Sequence, residues 1–287
     1  MRLGINLPYR RADGSAPAAP EIMARARLLE EIGFDGIWMG DTVGRFDFAG
    51  LDTLQWLTVA AAGTTRIELG TAVIQLPLRP PVELAQRLMT LQAVSGGRFI
   101  AGLGSGSTAK DFEASGVDFS QRFKLLREGA SKIKRLLNGE TVDGISIHPW
   151  PNVKGGPPLV IGAWGSGRWV QRAAEEYDGW MASGFNTSLN TLREGIQRYR
   201  EAGGTGRTLV ATVNVNLSAP SEPLDADGRF HLNCPPQEAR ERLAQLAKLG
   251  FDDVLCSRLN YSDEDWPEAD LRTLRELLPR DPRSTNS

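Results

Sequence analysis

Two short segments of the chain combine glycine and serine in a way that suits anion binding. Glycine lets a backbone N–H group approach a ligand closely, and serine adds a hydroxyl donor. The segments are Gly104-Ser105-Gly106-Ser107 and Gly165-Ser166-Gly167-Arg168. The second segment precedes a helical stretch, whose N-terminus offers free N–H groups to a phosphate, and Arg168 can pair with that phosphate. Ordinary loops and a solvated arginine are the alternative interpretation.

Candidate catalytic residues are few, and they lie near predicted strand ends or in long loops. Asp41 and Thr42 follow the second predicted strand. A partly buried carboxylate at this place can handle a proton, anchor a hydrogen bond or cap the next loop. His231 follows the seventh predicted strand and is a candidate acid or base, with a solvated loop histidine as the alternative. The other histidine, His148, lies in a separate insertion, so no histidine-based metal site is expected.

Short β-branched or aromatic runs alternate with amphipathic stretches along the chain, which predicts repeated βαβ units and a parallel sheet. Strands are expected near residues 3–7, 34–39, 67–74, 98–103, 158–163, 178–182, 209–217 and 252–257. Eight units fit a single α/β domain over residues 1–287, a TIM (β/α)8 barrel with insertions. In such a barrel the loops after the strands carry the chemistry, so both glycine–serine segments are expected at one face.

Helix signals lie between these strands. Pro80 and Pro81 begin the helix after the third strand, and Gly96 ends it. Ser120 is the expected N-cap of the helix after the fourth strand, which carries a core-facing stripe. The stripe consists of Phe123, Leu126, Ala130, Ile133 and Leu137. Gly33 and Gly250 stand where a helix can end in the left-handed conformation before a strand, which is a structural role.

Three segments interrupt the alternation and are candidate lids or binding loops, namely residues 43–51, 139–158 and 218–236. The first and third follow strands. The middle one is expected to form a small hairpin beside the mouth of the barrel or a plain solvent loop. The tail, residues 279–287, is polar and broken by proline, so we expect it to fray. Trp164 is the preferred apolar wall for a ring-shaped ligand, whereas Trp38 can pack in the helix layer.

Composition excludes several classes of function. The 33 basic and 35 acidic residues form no clustered basic stripe, so nucleic acid is not an expected partner. No apolar run approaches the roughly 18 residues of a membrane span, so no membrane partner is expected either. Only two cysteines occur, Cys234 and Cys256, and no charged-then-apolar leader follows Met1. These features predict a cytoplasmic protein without a disulfide framework.

Three runs of the sequence carry a resemblance to a known family. They are GFDGIWMGD, GTAVIQLPLRPPVELAQRLMTLQAVSGGRFIAGLGSGS and IGAWGSGRWVQRAAEEYDGW. The chain resembles the bacterial luciferase-like family of flavin-dependent oxidoreductases. This resemblance implies a TIM barrel that binds FMN or the 5-deazaflavin coenzyme F420 at the strand C-termini and acts on a small organic substrate as an oxidoreductase or monooxygenase. It also implies a homodimer and a cis peptide between Ala72 and Val73 that backs the flavin ring.

Departures from the family pattern narrow these implications. Members that use FMN often place an arginine at the position of Ser105, so its absence favours coenzyme F420, with FMN as the alternative. Several relatives carry a catalytic histidine where Thr42 stands. The sugar-phosphate dehydrogenase branch carries an acidic glutamate where Ser107 stands, which makes a sugar-phosphate substrate doubtful. A flavin-binding or carrier barrel without turnover is therefore a second hypothesis.

Overall fold

The computed structural model describes residues 1–6, 11, 13–43, 52–165, 167–184, 187–258 and 266–279. The strands are β1 (Arg2–Asn6), β2 (Gly36–Met39), β3 (Glu68–Thr71), β4 (Ile74–Gln75), β5 (Phe99–Gly104), β6 (Leu159–Ala163), β7 (Gly179–Ser183), β8 (Arg207–Asn216), β9 (Leu232–Asn233) and β10 (Asp253–Arg258). The helices are α1 (Ala19–Ile32), α2 (Thr53–Ala62), α3 (Pro81–Val94), α4 (Ala109–Ala114), α5 (Arg122–Leu137), α6 (Trp169–Glu176), α7 (Leu189–Glu201), α8 (Pro236–Leu249) and α9 (Glu268–Arg275).

Eight of these strands close into a parallel barrel. The order around the ring is β10, β1, β2, β3, β5, β6, β7 and β8, and β10 also pairs with β8 to close it. The short strands β4 and β9 extend the ends of β5 and β8. The eight predicted strands and the TIM (β/α)8 barrel are thus confirmed. Because all eight strands run parallel, the segments that follow them meet at one carboxyl-end rim.

Helix ends follow the local sequence signals in most places. Gly33 and Gly250 adopt the left-handed conformation after α1 and α8, with φ of 96° and 100°. A side chain is disfavoured in this conformation, so the predicted structural role of both glycines is confirmed. Helix α3 begins at Pro81, directly after Pro80, and Gly96 follows its C-cap with φ of 66°.

The start of α5 differs from the prediction. Asp118 caps a short 3-10 turn at residues 119–121 by accepting the N–H of Ser120, and α5 begins only at Arg122. Ser120 is therefore not the N-cap of α5. The predicted stripe is buried at Leu126 and beyond, but Phe123 is 47% exposed. At 100° per residue Phe123 lies about 60° from Leu126 around the helix, which puts it at the edge of the stripe.

Residues 139–158 contain the predicted hairpin only in minimal form. Val142 and Ile145 exchange two backbone hydrogen bonds of 2.9 and 3.0 Å. The segment follows α5 and leads into the start of β6, so it lies at the amino-end face of the barrel. The predicted position beside the mouth is wrong, because the mouth receives only the loops that leave strands. Residues 218–236 do leave a strand, β8, and lie at the rim.

The barrel sheet separates two clusters of apolar side chains. The outer layer packs the helices against the barrel, and a smaller inner cluster fills the ring. The inner cluster consists of Trp38, Ile100, Val160, Met181, Leu209, Ala211 and Leu255. The sequence left open that Trp38 packs in the helix layer, but its indole lies inside the ring. A Cβ added at Gly36 or Gly70 would lie 2.6 or 2.2 Å from the indole, so these glycines provide the necessary space.

The amino-end face of the barrel is closed by ion pairs. Arg207 at the start of β8 donates from Nε to Asp253 at 2.6 Å and pairs with Glu68 at 2.8 Å. Arg2 pairs with the same glutamate at 2.6 Å. These charges link β1, β3, β8 and β10 below the inner cluster, so the barrel ring is fixed at this end. No helix in the described ranges is long and apolar enough to span a membrane.

Candidate functional site

Most of the predicted site residues lie at the carboxyl-end rim. Asp41 and Thr42 follow β2, and Ala72 and Val73 connect β3 to β4. Gly104 ends β5, and the rest of its segment leads into α4. Residues 164–168 connect β6 to α6, although Ser166 lies outside the described residues. The structure therefore brings the segments after β2, β3, β5 and β6 together at one rim, as the sequence predicts.

Val73 occupies the inside of the ring at this rim. The peptide bond between Ala72 and Val73 is cis, as the resemblance implied. A Cβ added at Gly104 would lie 2.4 Å from Val73 Cγ2, and one added at Gly162 would lie 2.8 Å from Cγ1. The isopropyl group therefore rests on backbone of β5 and β6. Ala72 packs with it against the inner cluster.

Asp41 is held by a bidentate ion pair. Arg79 donates to its two carboxylate oxygens at 2.6 and 2.8 Å, and the backbone N–H of Gln75 donates to Oδ2 at 2.9 Å. The Asp41 side chain is only 4% exposed. Both of its oxygens are engaged, so the geometry matches the hydrogen-bond anchor among the three roles that the sequence left open. The pair fastens the end of β2 to the turn after β4.

A second buried carboxylate, Asp111 of α4, extends this network. The Gln75 side chain donates from Nε2 to Asp111 at 2.6 Å and to the Asp41 carbonyl at 3.0 Å. Asp111 also accepts the backbone N–H of Val43 at 3.2 Å. The network thus ties together the loops that leave β2, β4 and β5. It also holds the first residue of the predicted loop 43–51, of which residues 44–51 lie outside the described ranges.

The loop after β5 packs tightly on this network. Gly106 has φ of 75°, and a Cβ there would lie 2.7 Å from Gln75 Oε1 and 2.7 Å from the Phe112 ring. Ser105 is half-buried, and Ser107 is exposed. Within the described residues, Gln75 Oε1 and Thr42 Oγ1 are buried atoms without a hydrogen-bond partner. The unpaired Gln75 Oε1 therefore lies beside this loop.

The loop after β6 carries an exposed aromatic ring and a turn. Trp164 is 63% exposed, and its carbonyl accepts the N–H of Gly167 at 2.9 Å. A Cβ at Gly165 would lie 2.6 Å from the Thr191 carbonyl of α7, so this glycine allows the loop to pack on α7. Arg168 is exposed and stands directly before α6. The arrangement leaves the Trp164 ring and the Arg168 side chain accessible at the rim.

His231 is held against the outer helix layer. Its Nδ1 accepts from the backbone N–H of Asn233 at 3.1 Å and from Arg242 of α8 at 3.2 Å. Arginine is always a donor, so Nδ1 is the unprotonated nitrogen. Burial, with the neighbouring Arg242, lowers the pKa of His231. His231 is therefore a neutral imidazole that supports the β8–α8 loop, and the structure does not join it to the network around Asp41.

Sequence reasoning missed the residues that organise the network, namely Gln75, Arg79 and Asp111. The sequence contains a weak signal for two of them, because the polar residues Gln75 and Arg79 stand on either side of the apolar run Leu76–Leu78. Asp111 lies in a short helix that the alternation of strands and helices does not require. Asp111 accepts from Gln75, which is 36 residues away in the chain, so sequence spacing does not indicate this hydrogen bond.

A family model described as luciferase-like monooxygenase matches residues 1–222. The chain therefore belongs to the luciferase-like monooxygenase family, which confirms the resemblance seen in the sequence. An F420-dependent glucose-6-phosphate dehydrogenase from Kineococcus radiotolerans is 31% identical over 217 residues, which are 69% of this chain and 63% of that enzyme. The chain thus spans under two thirds of this relative.

Two further similarities cover more of the chain. An F420-dependent glucose-6-phosphate dehydrogenase from Amycolatopsis mediterranei is 32% identical over 281 residues, which are 88% of this chain and 84% of that enzyme. The FMN complex of the oxygenating constituent of 3,6-diketocamphane monooxygenase from Pseudomonas putida has a TM-score of 0.73 at 15% identity, over 96% of this chain and 97% of that chain. The second likeness shows the fold alone.

Proposed function

We propose that the protein is an oxidoreductase that binds coenzyme F420 or FMN at the carboxyl ends of β3, β5 and β6 and acts there on a small organic substrate. The placement of Val73 between Gly104 and Gly162 carries this proposal. Side chains at the two glycines would collide with Val73, so the rim here consists of one isopropyl group and backbone. Such a surface accepts the flat ring system of a flavin or deazaflavin. The bound coenzyme supplies hydride exchange or, with FMN, oxygen activation.

The phosphorylated tail of the coenzyme fits the loops on the two adjacent strands β5 and β6. Gly104, Ser105, Gly106 and Ser107 provide backbone and hydroxyl donors on one side. Gly165, Ser166, Gly167 and Arg168 provide donors, a helix N-terminus and a cation on the other. Trp164, which is largely exposed, is the wall that covers the ring. These assignments agree with the anion-binding role predicted for both segments.

Coenzyme F420 is the coenzyme that we favour. The loop after β5 carries the neutral Ser105 where FMN-dependent members often have an arginine. Both curated relatives above are named as F420-dependent. FMN is the alternative, since a structure of the same fold holds it.

The substrate that we propose is a small organic molecule other than a sugar phosphate. Ser107 stands where the sugar-phosphate branch has a glutamate, and Thr42 stands where several relatives have a catalytic histidine. Among the described residues Thr42 Oγ1 is a buried atom without a hydrogen-bond partner, and we propose that the substrate supplies this partner. Asp41 positions the rim through Arg79 and does not transfer a proton. His231 supports a loop and takes no part in proton transfer at Nδ1.

A flavin-binding barrel without turnover is the second candidate. The engagement of both Asp41 oxygens and of His231 Nδ1 favours it, because neither group is free to act as acid or base. A measurement of coenzyme turnover distinguishes the oxidoreductase from the non-catalytic barrel. Oxidation or reduction of bound coenzyme by any member of a panel of alcohols, ketones and terpenes supports the oxidoreductase, and binding without turnover supports the carrier.

The tail assignment is tested with two arginines of the same helix region. Arg168→Gln removes the proposed phosphate partner, whereas Arg172→Gln removes an exposed arginine that pairs with Glu176 one turn later. We expect Arg168→Gln to weaken F420 binding about fivefold, which corresponds to about 1 kcal/mol for an exposed charge pair. Arg172→Gln should leave the affinity unchanged. Equal affinities of the two variants in a fluorescence titration contradict the assignment.

We also propose that the protein is a homodimer without nucleic-acid or membrane partners. Sedimentation equilibrium measures the oligomeric state directly, and a monomer at micromolar concentration contradicts the homodimer.

A further inference from the structure

Two neutral polar side chains point into the barrel from neighbouring strands at the rim. Gly4 of β1 faces inward, because a Cβ there would lie 2.7 Å from Leu255 of the inner cluster. Ile5 packs in the outer layer. Side chains alternate along a strand, so Asn6 points inward again, and Ser257 does so two residues after Leu255. Asn6 Nδ2 donates to Ser257 Oγ at 2.8 Å, which confirms that the two meet.

A third polar side chain reaches the same level through a bulge in β8. Between Val254 and Cys256 β10 advances two residues, while β8 advances three, from Val210 to Val213. Thr212 lies in this bulge with φ of 61°, which is unfavourable for a β-branched residue. The extra residue turns Val213 into the outer layer. Asn214 consequently points inward, level with its register partner Ser257.

This polar group faces the proposed coenzyme surface. In the ring order, β8, β10 and β1 lie four strands away from β3, β5 and β6 respectively. Four strands are half of an eight-stranded ring. Asn6, Asn214 and Ser257 therefore lie opposite Val73 and its two glycines, and a molecule between the two halves touches both.

The polar group of Asn6, Asn214 and Ser257 is uncharged and contains an acceptor atom that is not hydrogen-bonded. Asn6 Oδ1 is buried and has no hydrogen-bond partner among the described residues. Asn214 is 5% exposed and Ser257 is 3% exposed. In the carboxyl-end halves of β1, β8 and β10, as far as they are described, the inward positions carry no charged side chain. A buried neutral acceptor without a partner is costly, and a ligand that donates a hydrogen bond removes this cost.

We propose that Asn6, Asn214 and Ser257 form the substrate subsite of the barrel and bind the hydroxyl group of a neutral organic molecule. The hydroxyl donates to Asn6 Oδ1, and the apolar part of the molecule lies toward Val73. The proposal rests on the proposed function, because the coenzyme ring is placed on the opposite half of the rim. It adds the chemical class of the substrate, a neutral hydroxylated compound, and the residues that select it.

The test uses benzyl alcohol and toluene, which differ by one hydroxyl group. Their dissociation constants are measured by saturation-transfer NMR with and without coenzyme F420. We expect the wild-type protein to bind benzyl alcohol at least about tenfold more tightly than toluene, since toluene leaves the buried polar atoms unpaired. Asn6→Leu and Ser257→Ala should each abolish or reverse this preference. Asn138→Leu, at an exposed position after α5, is the matched control and should keep it.

Each outcome bears on the proposal. Equal binding of the two probes by the wild-type protein, binding of neither, or a preference retained in Asn6→Leu overturns it. Circular dichroism and the unfolding midpoint check each variant, and Ser257→Ala decides if Asn6→Leu does not fold. A separate titration with F420 distinguishes the two proposals. Failure of the wild-type protein to bind F420 with an intact probe preference refutes the coenzyme assignment and leaves this subsite standing.

Discussion

Replacement of Arg79 by methionine removes one partner of the buried pair that holds the rim loops. The exposed fractions are 4% for the Asp41 side chain and 15% for that of Arg79. Two unit charges about 4 Å apart attract by about 4 kcal/mol at an effective dielectric constant of about 20. Loss of one partner from a buried pair costs about 3–5 kcal/mol, because the other charge stays buried. The Gln75 N–H still donates to Asp41, so we expect a loss near the lower limit, about 3 kcal/mol in the free energy of unfolding.

A double-mutant cycle in urea measures the pair itself. It combines Arg79→Met with Asp41→Asn and compares the free energies of unfolding of the single and double variants. We expect a coupling energy of about 2 kcal/mol, because two charge-assisted hydrogen bonds are lost together. The pair Glu83–Arg87 on α3 is the control, since its side chains are 40% and 43% exposed. Its coupling should be about 0.3–0.5 kcal/mol. A coupling at Asp41–Arg79 no larger than the control refutes the anchoring role.

Three further substitutions test the barrel and its loops. Gly70→Ala places a Cβ 2.2 Å from the Trp38 indole, so we expect a loss of about 1–3 kcal/mol by thermal unfolding. An unchanged midpoint contradicts the position of the indole. Arg207→Met leaves the buried Asp253 only its longer ion pair with Arg2 at 3.8 Å, so urea unfolding should show a loss of about 3 kcal/mol, and a loss below about 1 kcal/mol refutes this. Burial lowers the pKa of His231, so the unfolded chain takes up a proton more readily, and stability falls as pH decreases below the ordinary value of 6.5. His231→Gln should lose less stability than the wild-type protein between pH 7 and pH 5, and equal slopes contradict the assignment.

The fold was predictable because its signals are local. Each strand is a short apolar run between turn residues, and glycines such as Gly33 and Gly250 mark helix ends by a backbone conformation that needs no distant partner. Local signals also explain where the prediction of the fold was wrong or left open, because there the outcome depends on neighbouring residues. Ser120 is a good capping residue, but Asp118 two residues earlier takes the cap. Trp38 is apolar on either side of the sheet, and Gly4, Gly36 and Gly70 on β1, β2 and β3 leave the space for its indole inside the ring.

The loops of the candidate site were predictable from the sequence, but the hydrogen-bond network that holds these loops was not. The two glycine–serine segments and the bond between Ala72 and Val73 stand out in the sequence, the latter through the family resemblance. The network around Asp41 depends on contacts across more than thirty residues of chain, which no spacing rule reveals. Asn214 points into the barrel only because β8 contains a bulge. Strict alternation from Leu209 would have placed Val213 there instead.

A crystal structure of the complex with coenzyme F420 tests the central claim most directly. We predict density for the tricyclic ring on Val73, beside Gly104 and Gly162, with the phosphorylated tail at residues 104–107 and 165–168. A ring bound elsewhere on the barrel, or a tail directed away from both glycine–serine loops, contradicts the account.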